Sequence, residues 1–314
     1  VTRLDYVDRW RDEGTISGEQ HAALSAMTRH DRLSVFVELN VLLYLGVLAF
    51  AGGLAWTART WSAQWGDTAI LAPATALLVG CFWYCVARVA PFSKERVESP
   101  SLVFDYVLYL GCLVLAVEIG YIEYRFGILR ERWDDYLLAS AMVYVALAYR
   151  FDNRFVLSLA LATLGGWFGV RASDRLLFLA EPIRIAVLTY GMVVAAFGFV
   201  LYRQGLKRHF LDTYLHVAAN AVLGALLSGV LAGRTVSAWS GALTLVAGAV
   251  VWTGVRFRRF AFVVYGAFYG YVGISRDLLR GVASIETALA YVVVSASLVV
   301  VGLVTLARRF GREA

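Results

Sequence analysis

Asp212, His216 and Asn220 stand four residues apart in the otherwise apolar stretch "LDTYLHVAANAVLGALLSGVLA", and Gly224 and Ser228 continue the line. On a helix each step of four drifts by about 40°, so the five residues form one gently winding stripe. A carboxylate, an imidazole and a carboxamide on one stripe could line a cavity, pass protons through His216, or hydrogen-bond a neighbouring helix. Asp212 begins the stretch, where an acid is also favoured by the helix dipole alone. A single histidine among apolar residues is more often a packing residue than a ligand. Asp105 and Tyr109, in "FDYVLYL", repeat the one-turn spacing of acid and ring. Glu118 lies deeper, within "LVLAVEIGYIEY", and there needs a partner such as an arginine of another helix. Polar groups inside a bilayer are costly, which makes these residues the first functional candidates.

Other chemistry finds little support. The sequence has no zinc-ligand spacing, no glycine-rich phosphate loop followed by Lys and no usable Ser/His/Asp order. The expectation is therefore no enzyme, no cofactor and no metal. Cys81 and Cys85, one helical turn apart, could bind a soft metal, but with Cys112 they sit in apolar runs and read as small buried side chains.

These candidates must be positioned by membrane helices. The chain is 60% hydrophobic and 17% charged, against about 45–50% and about 25% for a soluble domain. Segments of roughly 17–25 apolar residues are long enough to span, and ten can be read. They are Phe36–Trp56, Thr68–Arg88, Leu102–Tyr121, Trp133–Tyr149, Asn153–Val170, Ile183–Tyr202, Asp212–Leu231, Trp239–Val255, Arg258–Ile274 and Glu286–Ala307. The fourth, fifth and ninth are near the lower length limit, so a re-entrant pair is the alternative there. The expected fold is thus an all-α polytopic membrane bundle over 36–314, preceded by a short helical hairpin over 1–35. Residues Glu38, Asn40 and Glu286 lie near span ends, where they can face headgroups.

Lys and Arg accumulate on the cytoplasmic side of membranes. With a cytoplasmic N-terminus, 19 of the 29 basic residues fall inside, so both termini are expected in the cytoplasm. The net charge of +6 is scattered between apolar segments, which argues against nucleic acid as a partner. Two hairpins share very short arginine-bearing turns, "AYRFDNRFVLSLALATLGG" and "GVRFRRFAFVVYGAFYGYVG". Their spacing, with Asp105 against Asp212, suggests a parallel repeat of four helices over 68–170 and 183–274. Ten-helix drug/metabolite carriers are similar in size, but they are built from inverted five-helix halves, which fits this spacing poorly. In the ninth span, Phe260, Phe262, Tyr265, Phe268, Tyr269 and Tyr271 alternate with Gly266, Gly270 and Gly273. That pattern reads chiefly as close helix packing.

The head, "LDYVDRWRDEGTISGEQHAAL", reads as two short helices. Leu4, Val7 and Trp10 share one face of the first; Gly14 ends it. Ser17 and Gln20 have capping-box form and start the second, which carries Leu24 and Met27. These five apolar residues are the candidate surface for docking a protein partner. Trp10, Gly14, Ile16, Ser17, Gln20 and, beyond the glycine-rich first span, Trp61 resemble the opening pattern of the "domain of unknown function 2157" family of predicted bacterial membrane proteins. The resemblance is clear over about the first 65 residues. It implies a bacterial inner-membrane protein in contact with lipid, and it carries no activity. Two functions remain. The preferred one is a transporter or flippase for a small molecule or lipid, working beside the third and seventh spans, with His216 facing Tyr109. The alternative is a membrane scaffold or sensor whose hairpin docks a partner.

Overall fold

The computed structural model describes residues 3–21, 66–128, 134–171, 181–233, 235–282 and 284–312, with isolated positions between 25 and 60. Every described element is helical. The helices are α1 (Arg3–Asp12), α2 (Asp67–Arg88), α3 (Leu102–Phe126), α4 (Asp135–Phe151), α5 (Arg154–Arg171) and α6 (Glu181–Arg203). A 3-10 turn, Arg208–Phe210, leads into α7 (Leu211–Ala232), and α8 (Ala238–Arg256), α9 (Phe260–Leu279) and α10 (Ile285–Arg312) follow. Six of them are long and apolar enough to cross a membrane: α2, α3, α6, α7 with its 3-10 turn, α8 and α10. Besides the head helix α1, the remaining three are α4, α5 and α9, at 17, 18 and 20 residues. They are the spans read from sequence as near the lower limit. At 1.5 Å per residue α4 is about 26 Å long, against about 30 Å of hydrocarbon. The first span, Phe36–Trp56, lies largely outside the described residues. So do Leu24, Met27 and Trp61, and the side chains of Leu4 and Val7.

Local chemistry explains the boundaries. Ser101 caps α3, its hydroxyl accepting from the Phe104 amide at 3.2 Å, and Gly127 closes the helix in the left-handed region at φ 54°. The α4–α5 and α8–α9 turns share one backbone. Asp152 and Arg258, 106 residues apart, both lie in the left-handed region, at φ 53° and 54°. The next amides bond back alike, Asn153 to the Ala148 carbonyl at 3.1 Å and Arg259 to the Gly254 carbonyl at 2.7 Å.

Consecutive helices pack as hairpins, and α7 also touches α5, α8 and α9. One core joins α3, α4, α5, α6 and α7 through Phe104, Leu108, Tyr144, Leu157, Tyr190 and Tyr214. A second joins α7 and α8 through Leu223, Leu226, Val230, Leu243 and Ala247. In α9 the glycines press on α8: a Cβ at Gly266 would lie 2.6 Å from the Ala247 carbonyl oxygen, and one at Gly270 3.2 Å from the Ala247 Cβ. The packing reading of that glycine–aromatic run holds for its glycine face. Cys81, Cys85 and Cys112 are buried thiols. Apolar on nearly every side, α10 touches the bundle along α9, where Tyr271 meets Ser295 at 3.0 Å and Ser275 meets Tyr291 at 3.2 Å.

Candidate functional site at the arginine-rich end

With α8 on the glycine face of α9, its rings are left for α7. The stripe of α7 runs along them. Asp212, in the first turn, pairs with Arg259, the residue preceding α9. His216 stacks on Phe262 with centroids 4.8 Å apart and planes 15° from parallel, and meets Tyr265 edge-on at 5.7 Å. Its Nδ1 is buried and has no hydrogen-bond partner among the described residues. Asn220 donates to the His216 carbonyl at 2.8 Å and accepts from the Tyr269 hydroxyl at 3.3 Å. Ser228, at the far end, accepts from the Arg184 guanidinium of α6 at 3.2 Å. His216 therefore faces α9, not Tyr109 and the third span as its sequence position suggested. The α8–α9 hairpin closes over α7, and its rings fill the space beside the imidazole.

The other acid builds a separate centre. Asp105 accepts from the Ser99 hydroxyl and the Asn153 amide, both at 2.9 Å. Asn153 also donates to the Tyr109 hydroxyl at 3.1 Å, while its oxygen caps α5 by accepting from the Phe155 and Val156 amides. Asn153 thus holds Asp105 as Arg259 holds Asp212. Glu118 receives the Thr75 hydroxyl of α2. Among the described residues a hydroxyl takes the place of the expected arginine, and the other carboxylate oxygen is buried without a partner.

Sequence reasoning missed the most enclosed group of charges. Lys207, 2% exposed, donates to Asp152 at 2.9 Å and to the Glu95 carbonyl at 3.1 Å. His209 and the Val97 amide reach the same carboxylate, each at 2.5 Å. The available signals were slight: one Lys among arginines, and an Asp-Asn pair at a tight turn, where such residues accept left-handed geometry.

Three concavities converge here. A polar cavity of about 320 Å³ is lined by Arg154, Asp212, Thr213, His216, Arg259 and Phe262, among others. A second, of about 430 Å³, takes in Asp105, Tyr109, Asp152 and His209, and Arg154 lines it too. An apolar groove of about 640 Å³ between α6, α7 and α8 reaches Arg259 and Phe262 at its end. At the opposite end of the bundle Arg125 meets Asp67 at 2.7 Å, and Arg171 meets Asp134 at 3.2 Å.

In the head, the Ser17 amide donates to the Gln20 side chain at 2.9 Å and the Gln20 amide to the Ser17 hydroxyl at 3.2 Å, so the capping box forms as read. Gly14, at φ 70°, lies just past the end of α1, its amide bonding back to the Arg11 carbonyl at 3.0 Å. His21 ties back to Asp8 at 2.7 Å, and Trp10 is exposed.

Neither a curated protein nor a solved structure matches the sequence. A family model described as predicted membrane protein, DUF2157, matches residues 8–157. The match extends well past the head pattern, through α2, α3 and α4 to the start of α5, and includes Asp105, Tyr109, Glu118, Asp152 and Asn153. It stops before α7, which carries Asp212 and His216. Over residues 8–157 the chain is thus similar to the DUF2157 family of predicted membrane proteins, and it has the apolar helices that such a protein needs.

Proposed function

We propose that the protein is a transporter or flippase for a small molecule or lipid, with ten spans in the bacterial inner membrane and both termini cytoplasmic. The observation that carries this reading is the polar cavity lined by Asp212, His216 and Arg259, into whose wall the chain places an imidazole with an unpaired nitrogen. A lone buried polar atom is costly, and a site that takes a proton or a polar ligand gives it a purpose. The two matching turns support a frame of two parallel four-helix copies. So do the matching contacts of Asn153 on Asp105 and Arg259 on Asp212.

The test uses proteoliposomes holding a phospholipid with a fluorescent label on its headgroup, and an impermeant quencher outside. His216→Ala should abolish protein-dependent loss of the protected signal while leaving thermal unfolding nearly unchanged. If the residue is interhelical packing instead, the change lowers stability by about 0.6 kcal/mol, up to roughly 1.7, and activity falls only in proportion.

The second reading, a scaffold docking a partner through the hairpin, draws on the capping box and the exposed Trp10 side chain. Deleting residues 1–33 should then leave the bundle monodisperse in detergent while removing a co-purifying partner. Aggregation of the shortened protein would make the hairpin part of the core fold.

A further inference from the structure

The apolar groove and the polar cavity are joined, and together they have the shape of an amphiphile. The groove has its floor on α7, at Leu215, Ala219 and Val222, and its walls on α6 and α8, at Met192, Phe199 and Val250. It follows α7 from Leu211 to Leu223, a length of about 18 Å, close to the ~15 Å of hydrocarbon in one leaflet. In a bilayer an apolar furrow open toward hydrocarbon is filled by chains rather than water, because nothing in its walls can bond to water. Its volume of about 640 Å³ suits one such chain.

The end of the groove is cationic. Arg259 and Phe262 line both the groove and the polar cavity, and Arg154 also lines the cavity. Two wall residues near the same end carry further guanidiniums on their rings, Arg203 over Phe199 at 5.1 Å and Arg208 over Tyr202 at 5.8 Å. Among the residues lining groove and cavity, Asp212 is the single acid, and Arg259 already engages it. A guanidinium has five donors, so Arg259 retains several for a second anion.

We propose that this composite site binds an anionic phospholipid of the adjoining leaflet, with one acyl chain in the α6–α7–α8 groove and the phosphate at Arg259. The proposal rests on the cavity being a ligand site, and it names the class of ligand. Arg259 positions the phosphate by paired hydrogen bonds, as guanidiniums do with oxyanions. Arg154, Arg203 and Arg208 supply the surrounding positive field. His216, stacked on Phe262, lines the same cavity.

The test is native mass spectrometry of the full chain released from detergent with phosphatidylglycerol or phosphatidylcholine of identical chains, each with and without excess glycerol phosphate. Phosphatidylglycerol should be retained at least about fivefold better, the worth of roughly one basic residue near a membrane surface, and glycerol phosphate should not displace it. Arg259→Ala should erase the headgroup preference. Arg208→Ala, which leaves the Asp212 pair intact, should reduce it in case loss of Arg259 unfolds the protein. Ala249→Trp, which fills the groove from an exposed position on α8, should reduce retention of both lipids. Equal retention of the two headgroups overturns the proposal, as does full retention in Ala249→Trp. Displacement by glycerol phosphate would mark a headgroup site with no chain in the groove. Lipid retained without any flux in the proteoliposome assay rejects transport and leaves this site standing. Flux without selective retention does the reverse.

Discussion

At the residue scale, the feature with the largest energetic consequence is the enclosed pair of Lys207 and Asp152, whose side chains are 1% and 2% exposed. A buried charge is tolerable only when its partners satisfy it. Here the carboxylate takes Lys207, His209 and the Val97 amide, while the ammonium also bonds the Glu95 carbonyl and lies 5.3 Å from the Phe92 ring. The cluster fastens the α2–α3 and α6–α7 links to the α4–α5 turn. Lys207→Ala or Asp152→Ala alone should lower stability by about 3–5 kcal/mol, because each strands the other charge. Lys207→Met with Asp152→Leu should recover much of that loss. Unfolding in detergent, followed by tryptophan fluorescence, measures all three. Single variants within about 1 kcal/mol of the parent would mean that water reaches the pair. Residues 55 apart could not be matched from sequence, since one Lys among arginines does not say which acid it meets.

At the element scale, six helices have both the length and the apolar character to cross a membrane, while α4, α5 and α9 do not combine the two, and these three decide the topology. α4 and α5 are partners in one hairpin and α9 is half of another. Hairpins keep chain direction whether they cross fully or turn back within the bilayer, but a single failure to cross reverses everything after it. The charge distribution favours full crossing. Basic residues gather at the end where Arg154, Lys207 and Arg259 meet, while Arg125 and Arg171 at the other end are offset by Asp67, Asp134 and Asp135. A reporter fused after residue 234 should read as periplasmic and one after residue 314 as cytoplasmic. Matching signals from both positions would show that α8, α9 or α10 does not cross in the expected sense, with α9 the first suspect.

At the scale of the whole molecule, what was legible in the sequence was whatever is decided locally. Hydrocarbon forces backbone groups to bond within their own segment, so apolar length alone specified helices. The Ser17–Gln20 box and the two arginine-bearing turns could be read because each depends on residues three to six apart. Asp105 and Asp212 were legible as first-turn acids for the same reason. Which residues meet across the bundle was not legible, because a helix that is apolar on every side gives the same reading whether a face meets lipid or protein. Only the tertiary structure decided that the stripe of α7 lies on α9. There Gly266, Gly270 and Gly273 turn one face of α9 to α8 and leave Phe262, Tyr265 and Tyr269 for His216 and Asn220. It alone also brought Asp152 to Lys207, Thr75 to Glu118 and the apolar groove to Arg259. Each of these depends on the separation of neighbouring helices and of the links that join them. That separation arises from packing between segments far apart in the chain, and no single segment encodes it.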